Sequence, residues 1–524
     1  MAAQWQTLPM EIKHIIFEVL LHQPHKRHQL SAYATVSKQW QIFFEKHIFH
    51  RLILHQSKIT EFGRLFQRQR RDLLRHLWLR IELPKYNRNT SVKFETESEE
   101  DRNNQIVTEA VCQLLQILSS WGKQDTDLTL ELSVHSPSDS KHHLPKYYPS
   151  GDIYPHLSKE DCTYQDFHAH MPRKKRRRRA QDNGRDGKER QRERIFYRSL
   201  EIDFETTNIP EHSQLLSAQV VKKLLIRRQY AFTLDQDSLF GIIESLPGLE
   251  SISLEAEPVI MKGLGLGSEL GHYLPSNQLL KTLSIFEDDQ GPRCQRYVMR
   301  DLDPLSGASL AHDSCLLEHL SVSFAIDARA FFQDFWPGAL PVPMVSLVER
   351  QRQSDQWKAN NTNTGQSLCT AASKKWPRLK SLALTSVLLH PRSPKSMIDE
   401  LLQAAANAAV EMPSLQVMEI WNHDQDLNVL CIFQYRRVGS SSCPIIHMSN
   451  TWGYRLPLAV VRSWSKVSTM QEGRDVRVSE QNLDPEELGS RSCGSIINHL
   501  ELRNLVLQPI SRCQLIWEAE IDNK

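Results

Sequence analysis

The 524-residue sequence predicts a mixed α/β protein: an N-terminal helical module, then an irregular β/α solenoid with long disordered insertions. Three observations predict this. Apolar residues between Leu8 and Phe49 recur at helical spacing. A Leu-x-x-Leu-x-Leu pattern returns along most of the remaining chain, and the alternation that closes it is that of a short strand with one face inward. Polar, charged stretches without apolar spacing interrupt the pattern.

The first stretch reads "QTLPMEIKHIIFEVLL". Pro9 suits a first helical position, where a missing N–H is no loss, and Thr7 stands before it as a cap. Glu11 sits near the positive end of the helix dipole. Ile12, Ile15, Ile16, Val19 and Leu20 are expected to share one apolar face. "HQPHKRHQ" then forms a polar loop, and Leu30, Ala34, Val36, Trp40, Phe43 and Phe44 continue a second helical region.

The order of residue types here resembles the F-box: Leu8-Pro9-x-Glu11-Ile12, apolar residues through Ile16 to Leu20, then Leu30 and a later Val36-Ser37-x-x-Trp40. One departure is "LHQPHKRHQ", which lacks the usual Asp-Leu start to the second helix. F-boxes are three-helix modules that bind the Skp1 adaptor of cullin-RING ubiquitin ligases. The resemblance therefore implies an adaptor-docking module over residues 1–55. Its adaptor-binding set would be Leu8, Pro9, Glu11, Ile12, Ile16, Leu20, Leu30, Val36 and Trp40. Helical phase puts Leu8, Pro9 and Ile12 at the interface, with Ile16, Leu20 and Trp40 turned toward the helical core.

The repeat pattern follows. It fits "LRHLWL" (Leu74, Leu77, Leu79), "YRSLEI" (Leu200, Ile202), "VKKLLI" (Val221, Leu224, Ile226), "LESISL" (Leu249, Ile252, Leu254) and "LKTLSI" (Leu280, Leu283, Ile285). It continues through "LEHLSV" (Leu317, Leu320, Val322), "LKSLAL" (Leu379, Leu382, Leu384) and "LQVMEI" (Leu415, Met418, Ile420), with a late echo in "INHLEL" (Ile497, Leu500, Leu502). "SLPGLESISL", "KWPRLKSLAL" and "EMPSLQVMEI" each place an apolar residue and Pro before the strand motif, and Pro stops a preceding helix. "DSLFGIIES" and "SMIDELLQAAANAAV" supply such helices, and "NQIVTEAVCQLLQILSSW" lies between two strands. An ordinary parallel sheet also needs β–α alternation. The recurring Pro punctuation favours a leucine-rich-repeat-like solenoid, whose repeats must stack to bury their apolar faces. This divides the chain into residues 56–135 (linker helices and first repeats), 136–195 (a disordered basic insertion) and 196–524 (the substrate-binding repeat domain). Further insertions are expected near 350–375 and 470–495. In the last third, strands are expected around "LCIFQYRR" and "IIHMSN", then a helix around "YRLPLAVVRSWSKV".

Taken whole, the chain resembles a group of fungal F-box-like proteins through "LWLRIELPKY", "LTLELSVHSPSDS", "LLIRRQYAF", "LKTLSIFEDD" and "LNVLCIFQYRR". That resemblance implies an F-box followed by a repeat-like domain.

Other features narrow the chemistry. The net charge of +2 gives no reason to expect a membrane or nucleic-acid partner for the whole molecule. Nine cysteines without a C-x-x-C pair suggest a reducing compartment, cytoplasm and/or nucleus. There is no secretory leader pattern and no apolar run long enough for a bilayer. The run Arg173, Lys174, Lys175, Arg176, Arg177, Arg178 and Arg179 resembles a nuclear-import signal. Cys162, His168 and His170, near His142, His143 and His156, lack paired zinc-ligand spacing, so no metal is expected. "KGLGLGSELG" fits neither a dinucleotide turn nor a P-loop, and no nucleophile motif occurs; no cofactor is expected. Arginines in "LLIRRQY" and "FQYRR" stand near strand ends, where they suit a phosphate.

The function these readings predict is a non-catalytic substrate receptor of an SCF-type ubiquitin ligase. The adaptor, and cullin through it, would dock on the F-box, and an unidentified protein target on the repeats. The alternative is an interaction scaffold whose F-box-like segment acts outside a ligase.

Overall fold

A computed structural model describes residues 5–21, 30–87, 89–90, 93–122, 127–139, 198–204, 217–228, 233–256, 278–287, 304–337, 376–425, 427–437, 442–484 and 492–522. The chain opens with helices α1 (Met10–Leu21), α2 (Leu30–Ala34) and α3 (Lys38–Phe49). Ser37 caps α3, its hydroxyl accepting from the Trp40 N–H at 3.4 Å. The Val-Ser-x-x-Trp spacing thus marks a helix start: Ser satisfies a backbone donor that the first turn leaves unpaired.

Strands follow in chain order: β1 (Arg51–His55), β2 (His76–Glu82), β3 (Leu128–His135), β4 (Ser199–Leu200), β5 (Val221–Ile226), β6 (Thr233–Leu234) and β7 (Ser251–Ala256). After them come β8 (Thr282–Glu287), β9 (His319–Ser323), β10 (Ser381–Thr385), β11 (Val417–Asp424), β12 (Val429–Arg436), β13 (Ile445–Asn450) and β14 (Arg477–Asn482). Twelve of these form one sheet in the order β1-β2-β3-β5-β7-β8-β9-β10-β11-β12-β13-β14. Neighbours are parallel from β1 to β11, β12 is antiparallel to both of its neighbours, and β13 and β14 are parallel. The protein is therefore mixed α/β, with a large, mostly parallel sheet and many helices.

The apolar positions of the recurring motif meet in register. One row runs Leu52, Leu77, Leu130, Leu224, Ile252, Leu283, Leu320, Leu382, Met418. The next runs Leu54, Leu79, Leu132, Ile226, Leu254, Ile285, Val322, Leu384, Ile420. Side chains two apart in a strand share a face, so both rows lie on one side of the sheet. They form a single apolar cluster with helices Glu97–Ser119, Gln236–Glu244, Lys395–Val410 and Leu458–Glu472. Leu246, Trp376 and Met412, each just before the punctuating Pro, are fully buried in it.

The opposite face is closed in part by the chain's last helices, Cys493–Ile497, Arg503–Val506 and Pro509–Asp522. Ile496, Ile497, Leu500, Val506, Leu507 and Leu515 pack there on Phe286, Ala383, Trp421, Leu430 and Ile432.

Several expectations need correction. "YRSLEI" supplies β4, which pairs with β6 outside the main sheet. "INHLEL" forms no strand: Ile497 ends a helix, and Leu500 lies in the turn after it. The Leu-x-x-Leu-x-Leu spacing also satisfies one helical turn, and here contact with the second face selects the helix. The stretch 470–495 is not an insertion throughout. It holds the end of helix Leu458–Glu472, all of β14 and the start of helix Cys493–Ile497; residues 485–491 lie outside the described residues. Strand β14 carries "RVSEQN", whose side chains are nearly all exposed, so its pairing with β13 rests on the backbone ladder and on a side-chain hydrogen bond between His447 and Ser479 at 3.0 Å. Ser136, Ser138 and Asp139 are buried, so the basic insertion does not begin at 136; residues 140–197 and 338–375 lie outside the described residues. Residues 51–55 belong to the sheet as β1, which ends the helical module at His50. Among the described residues, no helix is long and apolar enough to cross a membrane.

Candidate interaction surfaces

An aromatic cluster holds the N-terminal helices together. The Phe17 ring lies 5.3 Å from Trp5, 5.1 Å from Trp40, 4.7 Å from Phe43 and 5.6 Å from Phe44; Tyr33 lies 5.3 Å from Phe44. Phe17 and Phe44 are buried. This corrects the expected apolar face of α1. Aromatic rings bury more area than isoleucines and so occupy the centre, which leaves Met10 (62% exposed), Ile12 (43%), Ile15 (57%) and Val19 (57%) toward solvent. Val36 and Ile42 are exposed as well. Gln39 donates to the Met10 sulfur at 3.2 Å, joining the starts of α1 and α3.

Within the set expected at the adaptor, Pro9, Glu11, Ile12 and Val36 are exposed. Leu8, Ile16, Leu20, Leu30 and Trp40 are half-buried. The module meets the sheet region through an ion pair, Arg70 to Glu45 at 3.0 Å, with the Arg70 guanidinium 5.1 Å over the Phe49 ring.

The second surface is the face of the sheet away from the large helices. Across β7 to β12, buried polar groups bind the C-terminal segment to it. Glu255 accepts from the Gln508 N–H at 2.8 Å and from the Ser511 hydroxyl. Glu419 accepts from the Glu501 and Leu502 N–H groups at 2.8 and 3.0 Å. Ser284 donates to the Leu505 carbonyl at 2.6 Å, and Arg228 pairs with Glu518 at 3.0 Å. Burial raises both carboxyls, Glu255 and Glu419, above their ordinary value, although each is hydrogen-bonded.

Across β1, β2, β3 and β5 the same face carries a charged network centred on Glu131. Arg227 Nε donates to Glu131 Oε1 at 2.7 Å, and Arg227 Nη2 reaches the same oxygen. His76 Nε2 lies 2.7 Å from Glu131 Oε2, and Arg51 Nη2 is 3.7 Å from that oxygen. Burial would raise the Glu131 carboxyl, but Arg227, His76 and Arg51 outweigh it and hold it at about 2. Burial lowers Arg51 to about 10, and it also lowers His76. Trp78 is fully buried among these groups; its indole N–H donates to the Ser133 hydroxyl at 2.7 Å, with Arg227 5.6 Å from its ring.

The arginines read as phosphate candidates are thus engaged with carboxylates: Arg227 with Glu131, Arg228 with Glu518, Arg436 with Glu501 and Arg437 with Glu472. Sequence reasoning missed the carboxylates. Glu131, Glu255 and Glu419 each stand inside a strand, in "LTLELSV", "SISLEAE" and "VMEIW", at a position opposite in phase to the core. That signal marks the second face but does not say whether the face is wet or covered. Arg173 to Arg179 and the Cys162–His168–His170 group lie outside the described residues, as does "KGLGLGSELG". Among the described residues, no group of three His, Cys, Asp or Glu could hold a metal ion.

Residues 273–508 match the model of a family of unknown function, DUF6546. The match covers β8 to β14 and the short helices over the second face; the N-terminal helices and β1 to β7 lie outside it. No curated protein matches the chain.

Proposed function

We propose that this protein is a non-catalytic substrate receptor of an SCF-type ubiquitin ligase. Its N-terminal helices would act as an F-box, and its strand–helix units as a leucine-rich-repeat-like solenoid that holds a protein target. The observation that carries this reading is the exposed apolar stripe of Ile12, Ile15 and Val19 on a helical module whose own core is filled by aromatic rings. A contiguous apolar surface on a small module marks a docking site, and its residues adjoin the Leu8-Pro9 pair of the F-box pattern. The solenoid reading draws support from a strand order that follows the chain and from the long helices packing on one face of the sheet. The subunit would act by proximity, holding a target lysine near a charged conjugating enzyme.

Purified chain mixed with a Skp1-type adaptor and cullin tests the proposal. Wild type should co-elute with both. Leu8→Ala with Pro9→Ala should weaken binding by roughly thirtyfold, the loss of an anchor contributing about 2 kcal/mol, and leave the sheet folded. If wild type binds no adaptor at micromolar concentration, the ligase assignment fails and the scaffold reading replaces it.

A further inference from the structure

Among the described residues, part of the second face keeps contact with water along the amino ends of the strands. One row in register there runs Arg51, His76, Thr129, Lys223, Ser251, Thr282, His319, Ser381. Every member is basic, imidazole or hydroxyl; the row holds no carboxylate. Arg51 through His319 keep part of their surface in water, and Lys223 is exposed. At a strand spacing of about 4.8 Å the eight positions span roughly 34 Å. The C-terminal segment packs on other positions of this face, among them Glu255, Ser284, Ala383 and Glu419.

The end of the row at Arg51 carries the specific chemistry. Arg51 is 12% exposed, and among the described residues its Nε and Nη2 make no hydrogen bond. The one carboxylate it faces among the described residues, Glu131, already holds Arg227 on one oxygen and His76 on the other. A largely desolvated guanidinium with unused donors is costly, and such a group calls for an acceptor. Its fork of N–H groups matches a carboxylate or phosphate. Lys223 supplies a second cation three strands away. His76 and His319 are held toward their neutral forms by burial. The row therefore presents two full cations, too few for a nucleic-acid backbone, whose binding grows with the number of phosphates neutralised.

We propose that the row from Arg51 to Lys223 receives an acidic segment of a partner protein, one oxyanion side chain docking on Arg51 and another on Lys223. This deepens the target-binding role proposed above, but it is read without an adaptor, so failure of adaptor docking and failure of this site are separate results.

The test is fluorescence anisotropy of the full chain with fluorescein-labelled octaglutamate at low salt, against octaglutamine and a phosphoserine-containing octapeptide. Octaglutamate should bind, with an affinity that falls as salt rises, and octaglutamine should not. Arg51→Gln with Lys223→Gln should weaken octaglutamate at least tenfold. Lys223→Glu alone, at an exposed position, should weaken it several-fold and keeps the test decisive if the Arg51 variant misfolds. Tighter binding of the phosphoserine peptide, lost in the same variants, would identify phosphate as the preferred oxyanion. Wild type that ignores octaglutamate and phosphopeptide alike, binding that the variants leave unchanged, or tighter binding of an equally charged oligonucleotide would overturn the proposal.

Discussion

Lys281 Nζ lies 2.6 Å from Glu250 Oε2, one rung of a row whose charge alternates from strand to strand. Lys222 reaches the other Glu250 oxygen at 3.4 Å, and Lys380 pairs with Glu318 at 2.7 Å. Backbone bonds tie the same positions together: Glu250 N–H to the Lys222 carbonyl, Lys281 to Glu250, Glu318 to Lys281, Lys380 to Glu318 and Gln416 to Lys380, all at 2.7 to 2.9 Å. In the sequence this is the residue before the strand in "LESISL", "LKTLSI", "LEHLSV" and "LKSLAL", and the second residue of β5 in "VKKLLI". Like charges side by side would oppose pairing, so the alternation favours this strand order over a slipped one.

Lys281→Glu should place three carboxylates in that row. Exposed pairs contribute about 0.2–1 kcal/mol each, so the expected loss is about 1 kcal/mol of unfolding free energy in urea denaturation at low salt, shrinking in 1 M salt as screening rises. A loss that salt does not change would trace to something other than charge. Hydrogen bonds from Lys281 and Lys380 hold the Glu250 and Glu318 carboxyls below their ordinary value. A depressed carboxyl stabilises the fold above its unfolded pKa of roughly 4.3. Wild type should therefore lose this advantage over Lys281→Gln as pH falls below that value.

Leu382 is fully buried between Leu320 and Met418 in the apolar row. Leu382→Ala should cost about 2–5 kcal/mol in chemical denaturation, a transfer loss plus a cavity. A change under 1 kcal/mol would mean that the row relaxes around the gap.

Glu131→Gln should be more damaging than its size suggests. It leaves the buried Arg227 and Arg51 without their carboxylate, a loss of about 3–5 kcal/mol for a broken buried pair. With the folded carboxyl at about 2, this contribution is present above the unfolded value and is lost only as pH falls toward 2. Thermal unfolding of wild type and variant across pH 7 to 2 should converge at the acid end.

Ending the chain before Ser492 should uncover Phe286, Trp421 and Ile432. The expected outcome is strong binding of a hydrophobic dye and self-association in light scattering. A monomeric truncated chain without dye binding would show that the face closes by other means.

Replacing Arg173 to Arg179 with Ala should reduce nuclear accumulation of a fluorescent fusion without lowering its melting temperature. Unchanged distribution removes the import reading.

The strands β2, β5 and β7 to β11 are legible in the sequence because Leu-x-x-Leu-x-Leu puts two side chains on one face and a third at the turn, wherever it recurs. The long helices are legible for the same local reason: "SMIDELLQAAANAAV" has one apolar stripe and good helix formers throughout. Other elements are not. β14 has no apolar alternation to find. "INHLEL" has the strand pattern and folds as helix and turn. Ile12, Ile15 and Val19 form a stripe that local spacing assigns to a core, while the neighbouring Phe17 takes that place. The three strand glutamates look like solvent positions until a distant segment or a guanidinium covers them. Spacing along the chain specifies which side chains share a face, because that depends only on backbone period. What each face meets, whether water, another helix or the chain's own last residues, depends on contacts between residues tens to hundreds of positions apart, and those arise only when the whole sheet is assembled.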